Sequence, residues 1–416
     1  MPEKKKGVVP RLRFPEFRDA GEWEVKRFWK VYSFYPTNSF SRDKLIHESG
    51  TIKNIHYGDI HKKFSVLFDI TKEQVPYLNP LLDIEKLNNE AYCREGDIIL
   101  ADASEDIDDI GKSIEIVNLN GEKLVSGLHT IMARQKSPKL IIGFGGYLFR
   151  TAYIREQIKR EAQGAKVLEI SPKRLSEISV IYPNIKAEQQ KIAGCLSSLD
   201  KVIDLEAQKL EALKAHKKGL MQQLFPREGE TAPRLRFPEF RNAGEWKKCR
   251  FRELLTLEYG VSLPERSRLD GVIPIVGSNG VVGFHNQALI PGPVIVVGRK
   301  GSAGEINWIE SDCYPIDTTF YVKPKLESRD MLLFFIKLLL ENTNLKRLSD
   351  NGAVPGINRN DVYVLKTALP LGDEQQKISD CISSLDEMID LEAQKLEALK
   401  AHKKGLMQQL FPQEMN

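Results

Sequence analysis

Cysteine is scarce: five residues in 416, scattered and without a CxxC pair. Neither a disulfide framework nor a structural zinc site is expected, and a reducing cytoplasm fits. Long apolar runs are missing as well. The longest, MLLFFIKLLL at 331–340, is interrupted by Lys337, so it reads as a buried helix and not as a membrane span. The start, MPEKKKGVVP, is basic but has no apolar stretch, and no secretory leader is expected. Signatures of catalysis are absent too. Gly111-Lys112-Ser113 could end a phosphate-binding P-loop, but its first glycine would fall on Asp106. There is no Asn-Pro-Pro-Tyr or Asp-Pro-Pro-Tyr, the motif that holds a flipped adenine for amino methylation. No glycine-rich cofactor turn follows a strand, and no carboxylate cluster with a lysine suggests a nuclease. His56 and His61 lack a third ligand, so a metal site is not expected. A net charge of +4 permits nucleic-acid binding without demanding it.

What the chain has in abundance is itself. Residues 188–226 return as residues 374–412 with five changes in 39 positions: Ser379 for Ala193, Asp380 for Gly194, Ile382 for Leu196, Glu387 for Lys201 and Met388 for Val202. Ahead of each lies a second repeat, RLRFPEFRDAGEW (11–23) and RLRFPEFRNAGEW (234–246). Residues 24–187 and 247–373, the segments between these blocks, show little resemblance to each other. The organisation is frame, variable, frame, variable, frame, with divisions at 1–187, 188–227, 228–373 and 374–416.

Ile192, Leu196, Leu199, Ile203, Leu210, Leu213, Leu220 and Leu224 follow a heptad seam with polar residues at two slots, Glu206 and Lys217. A helix of this length extends roughly 58 Å. Packing on its own domain is one possibility. Pairing of the two copies is another. An antiparallel register that places Leu199 against Leu410 and Leu210 against Leu399 keeps every other layer apolar. It also sets Glu206 against Lys403 and Lys217 against Glu392, so that opposite charges pin the register. A coil of this length could hold two modules one DNA turn, about 34 Å, apart.

The variable segments are α/β in character. In the second, IPIVGSNGVVG (273–283) reads as a hairpin, and VIVVGRKGSAG ends a buried strand in a glycine-rich basic loop. Arg299, Lys300 and Ser302 of that loop are candidate phosphate and base contacts. Ser278 and Asn279 are further candidates, since an Asn amide can pair with adenine, although a plain hairpin turn explains Asn-Gly equally well. Asn351, Asn358 and Arg359 lie in a polar loop; Asp317, Thr318 and Thr319 read as bracing. In the first segment, TIKNIHYGDIHKKF offers His56, Tyr57, His61, Lys62 and Lys63, basic and aromatic residues suited to phosphate contact and stacking. An acidic loop (Glu105, Asp106, Asp108, Asp109) also carries Ser104 and Lys112. It would face away from phosphate or accept hydrogen bonds from cytosine amino groups. His129 and Arg134 follow, and 146–164 reads as a helix.

The order IPIVGSNGVVGFH, VIVVGRKGSAGEI, DTTFYV, NGAVPGINRNDV and then a long helix opening EQQKI resembles the specificity subunit of type I restriction–modification systems. The FPEF–GEW block and the MQQLFP helix end are similar to that family as well. The resemblance covers nearly the whole chain. It implies an α+β fold with two target-recognition domains separated by two long helices in an antiparallel coiled coil, pseudo-two-fold symmetric. Each domain would read about 3–5 base pairs of a bipartite, asymmetric DNA target. The subunit would be non-catalytic and cytoplasmic. The coil and the frame blocks, through Phe14, Phe17, Trp23, Phe237, Phe240 and Trp246, would recruit two methyltransferase subunits, and two restriction subunits would join through them. S-adenosylmethionine would belong to the methyltransferase, ATP and Mg to the restriction subunit, and the modified base would be adenine, at N6. A symmetric protein scaffold without DNA is the alternative.

Overall fold

The computed structural model describes residues 8–82, 87–325, 329–349 and 354–413. They form two compact units, Met1–Leu205 with Leu396–Asn416, and Glu206–Lys395. The boundary falls inside both long helices, Lys186–Leu224 and Gly372–Leu410, of 39 residues each. Each unit therefore owns part of both helices.

In the first unit the strand Ile98–Ala101 is buried at every position, as its unbroken apolar run suggests for a strand covered on both faces. It pairs antiparallel with Thr130–Gln135 and Ser113–Asn118. Thr130–Gln135 in turn pairs with Tyr32–Tyr35, and Leu67–Asp69 joins Ser113–Asn118 in parallel. A small second sheet sets Lys53–Ile55 parallel to Leu124–Ser126 and antiparallel to Tyr77. The helix expected at 146–164 is two helices, Phe144–Leu148 and Ala152–Glu161. Thr151 between them is extended and turns its hydroxyl back to the Leu148 carbonyl at 2.7 Å.

The second unit repeats four of these five main-sheet strands in a sequence with little resemblance to the first. Leu255–Tyr259, Thr319–Pro324, Val294–Gly298 and Ile306–Ile309 lie side by side in that order, all antiparallel. Its small sheet pairs Ile273–Gly277 antiparallel with Gly280–His285 and parallel with Tyr314–Pro315. The run at 331–340 is part of the helix Arg329–Thr343, whose Phe335, Ile336, Leu338 and Leu340 are fully buried. Among the described residues no helix is long and apolar enough to cross a membrane.

The duplicated block clasps the end of a long helix in each unit. Leu12 N–H donates to the Gln409 carbonyl, and Leu235 N–H to the Gln223 carbonyl, both at 2.9 Å. The Arg13 guanidinium forks onto Glu188 at 2.7 and 2.8 Å, and Arg236 onto Glu374 at 2.7 Å twice. Trp23 packs edge-on against Phe411, and Trp246 edge-on against Phe225. The two indoles are 4% and 2% exposed. This corrects one expectation: Trp23 and Trp246 are core residues of the clasp, closed to a partner. Phe14, Phe17, Phe237 and Phe240 remain half-buried.

The long helices do run antiparallel within each unit, in a different register from the expected one. In the first unit Lys403 pairs with Asp200, and Leu406 and Leu410 join the core that holds Ile192 and Leu196. In the second, Glu206 pairs with Lys395, Lys209 with Glu392 at 2.5 Å and Lys217 with Asp386 at 2.5 Å, while Leu220 and Leu224 join the core of Ile378, Ile382 and Leu385. The expected partners Glu206–Lys403 and Lys217–Glu392 are thus replaced by ones about a heptad away. The seven-residue slip sets Glu206, Lys217, Glu392 and Lys403 level with leucines of the facing helix, where each reaches an opposite charge to one side. The seam alone favours the other register, so something outside it must choose. The clasps on the helix ends do.

Candidate nucleic-acid interface

In the second unit three loops meet at the end of the main sheet. Ser278 and Asn279 form a two-residue turn between the paired Gly277 and Gly280, with Gly280 at φ +101°, where a side chain would be strained. Asn279 is exposed at the tip; Ser278 is buried, its hydroxyl donating to the Thr318 carbonyl at 2.6 Å. The glycine-rich loop is equally fixed. Gly298 N–H donates to Glu305 and Gly304 N–H to Gly298, both at 2.8 Å. A Cβ on Gly298 would stand 2.2 Å from the Ser302 carbonyl oxygen, so the turn requires glycine there.

Arg299 donates through Nε and Nη2 to the Asp317 carbonyl at 3.1 and 2.6 Å, and its guanidinium lies 5.3 Å from the centre of the Tyr259 ring. Arg359 sits 4.9 Å from the same ring and donates to the Leu257 carbonyl at 3.3 Å. Tyr259, 49% exposed, thus holds two guanidinium groups in place on an open surface. Lys300 and Ser302 are exposed beside them. The brace expected from Asp317 and Thr318 is supplied by their backbone carbonyls. Asn358 caps the helix Arg359–Val364, accepting from Asn360 N–H at 2.9 Å; Asn351 lies outside the described residues. Tyr259 escapes a reading of the sequence. Its only signal is an aromatic closing a strand just before a Gly-Val-Ser-Leu-Pro loop.

The first unit gathers rings. Tyr57 has His56, His129 and His61 around it at 4.7, 5.4 and 6.0 Å between centroids. Not all of these are free to bind. His56 is 8% exposed and caps the helix Tyr57–Lys62, its Nδ1 accepting from Gly58 N–H at 3.0 Å. Burial, and then the Arg42 charge, hold its pKa below the ordinary value. His61 meets the Ala103 carbonyl at 3.2 Å. Lys63 reaches the buried Asp59 at 3.0 Å, and Ser104 accepts from Asp106 N–H at 3.0 Å. Arg134 must be corrected outright: it forks onto Asp97, which is fully buried, at 2.7 Å twice and covers the Tyr35 ring at 4.2 Å. Arg134 and His56 are therefore structural. Lys62 and His129 are exposed, while Tyr57, His61 and Ser104 are half-open.

The acidic loop is answered from within. Asp108 pairs with Lys159 at 2.6 Å, Asp109 with Lys112 at 3.2 Å, and Asp106 caps Asp108 N–H at 2.9 Å. Among the described residues no group of three or more His, Cys, Asp and Glu side chains could hold a metal ion. The second unit thus offers guanidinium donors held by backbone carbonyls at a sheet end, and the first leaves Lys62 and His129 exposed. That suits reading the edges of bases more than bond-making chemistry.

A family model described as the type I restriction modification DNA specificity domain matches residues 22–215 and again 243–401. Among curated proteins, the putative type I restriction enzyme MjaX specificity subunit of Methanocaldococcus jannaschii is 22% identical over 412 residues, 94% of this chain and 93% of that protein. The type I restriction enzyme MjaVIII specificity subunit of the same organism is 20% identical over 293 residues, 64% of this chain and 69% of that protein. Among solved structures, the S subunit of a type I restriction–modification system from M. genitalium superposes with a TM-score of 0.63 at 16% identity, covering 98% of this chain and all of that one. A chain from a study of complex assembly and conformational transition in the type I R-M system gives 0.55 at 14% identity, over 94% and 97%. At such identities the structural likeness speaks for the fold.

Proposed function

The chain belongs to the family of the type I restriction modification DNA specificity domain, matched once in each half, and from that premise we propose that it reads a bipartite DNA target, one half-site per unit. One observation carries this reading: the two units share a strand order while their exposed loops differ in every candidate contact. The same scaffold presenting unlike loops fits two unlike half-sites. Phosphate contacts from Lys62 and Lys300 would set position, and Arg299, Arg359 and Asn279 would face base edges in the second half-site. The chain itself would carry no bond-making step. Methyl transfer with S-adenosylmethionine, and ATP- and Mg-dependent restriction, would belong to partner subunits in the same cytoplasmic complex.

Recruitment of two identical methyltransferase subunits is supported by the repeat. Val202 and Leu205 are 41% and 64% exposed, and their repeat equivalents Met388 and Leu391 are 45% and 66% exposed. An apolar pair at equivalent positions, offered twice with Met388 in place of Val202, suits two copies of one partner. Long helices of fixed length would set the spacer between half-sites.

Methylome sequencing of cells that express the chain with its modification subunit tests the reading. The expected result is a split motif with an unspecified spacer, methylated at adenine on both strands. An uninterrupted motif, or DNA association that does not fall with salt, would favour the scaffold alternative.

A further inference from the structure

The central strands of the two units end at matching positions. Thr130 pairs with Ala101 in the first unit, and Thr319 with Gly298 in the second. The residue after each strand end then donates across the same turn: Asp102 N–H to the His129 carbonyl at 3.1 Å, Arg299 N–H to the Thr318 carbonyl at 2.9 Å. Even the threonine hydroxyls correspond, each donating to the carbonyl three residues back, Gly127 and Ile316. Asp102 is therefore the counterpart of Arg299, and His129 that of Thr318, although apart from the threonine the two turns differ in sequence.

Asp102 opens on a cleft of about 530 Å³ lined by Asn38, Asn88, Leu128 and His129, among others. Its Oδ1 is buried, stands 3.3 Å from His129 Nδ1 and has no hydrogen-bond partner among the described residues; the side chain as a whole is 29% exposed. His129 holds φ at +57°, a conformation that a residue other than glycine keeps only where its surroundings impose it. A carboxylate is thus set at the mouth of a cleft, its buried Oδ1 turned to the His129 ring and the rest of the side chain open to the cleft.

We propose that Asp102 reads a base in the first half-site, accepting a hydrogen bond from the exocyclic amino group of cytosine, at the place where Arg299 of the second unit donates to guanine. The proposal rests on the DNA-reading function given above. The choice of base follows from chemistry. An ionised carboxylate only accepts. Cytosine turns only a donor to the major groove, whereas adenine sets the acceptor N7 beside its amino group, where it would repel the second oxygen. Arginine, with donors alone, fits guanine O6 and N7 by the same logic.

The test is selection from randomised double-stranded DNA by the complex of this chain with its modification subunits. Asp102→Asn is compared with the unaltered chain and with Arg299→Ala. The expected outcome is a cytosine preference at one position of one half-site. Asp102→Asn weakens it about ten- to a hundred-fold and moves it towards adenine, with the other half-site unchanged. Arg299→Ala gives the converse. Continued reading of the second half-site reports that the chain is folded. If Asp102→Asn costs that reading, Asp102→Ser replaces it and is expected to relax the same position. An unaltered preference at every position in a variant that still reads the second half-site overturns the proposal, as does a purine-only effect. If the unaltered chain selects no sequence, the DNA-reading function fails and not this inference alone.

Discussion

In the first unit Glu115 faces Ile98 of the central strand; in the second, Trp308 faces Ile295 at the corresponding place. Glu115 is fully buried, with Oε2 accepting from Gly146 N–H at 2.6 Å and Oε1 without a partner among the described residues. Trp308 is half-buried and packs edge-on against Phe334. A similar contrast recurs on the long helices. Lys403 with Asp200 in the first unit and Lys217 with Asp386 in the second are repeat equivalents, but Tyr147 completes the first pair at 2.7 Å and Lys337 the second at 3.4 Å. The repeated frame keeps its ion pairs and its backbone clasp; whatever the variable segments bring to it differs. The scaffold therefore tolerates a carboxylate or an indole in its sheet and still returns the same strand order, because the order is held by the frame and by apolar central strands.

The comparison breaks most visibly at the clasps. Glu188→Ala and Glu374→Ala each leave an arginine largely buried and unpaired, which costs about 3–5 kcal/mol. Glu188 also accepts from Trp23 Nε1–H at 3.1 Å, while Trp246 Nε1 has no partner among the described residues. The first variant is therefore expected to be the worse by about 1 kcal/mol. Urea unfolding of both variants measures the difference, and equal losses would show that the indole bond contributes nothing.

The second break is pH. Burial, opposed by hydrogen bonds from the Gly146 and Gly143 backbone, raises Glu115 from 4.5 to about 7. The folded chain then holds a proton that the unfolded chain has released, so this group's contribution is full below pH 4.5, falls as pH rises to about 7 and is lost above. The window corresponds to roughly 3 kcal/mol. Glu115→Gln is expected to flatten that slope and raise stability at pH 8, with no matching effect from Trp308→Phe; melting curves between pH 5 and pH 8 would show it.

The smallest effect sharpens the coil register. A double-mutant cycle on Glu206 and Lys395 should give a small favourable coupling, since the lysine is half exposed. The cycle on Glu206 and Lys403 should give none. Coupling in the second cycle would restore the register expected from the heptads.

Much of the fold is legible in the residues alone. Apolar runs such as Val294–Val297 and the Gly-Ser-Asn-Gly turn name their strands and hairpin, because period, length and turn chemistry are local. The helical run at 331–340 is legible for the same reason. Arg134 and His56 mislead, because a basic or aromatic residue looks the same in sequence whether it faces solvent, a buried Asp97 or an open helix end. Tyr259 and Asp102 are silent, because each matters through neighbours elsewhere along the chain, Arg299 and Arg359 for one and His129 for the other.

By itself the sequence determined the duplication, the two long helices, the antiparallel sense of their pairing and the membership of two unlike inserts in one frame. All of these follow from repetition and periodicity, which need no third dimension. Only the tertiary structure decided which heptad faces which, that the tryptophans close the clasps, and that an aspartate in one unit stands where an arginine stands in the other. A heptad seam keeps its sense through a seven-residue slip while its charged slots change partners, and the partners of a buried or loop residue are chosen by strand register and helix-end contacts, which bring together positions the sequence holds far apart.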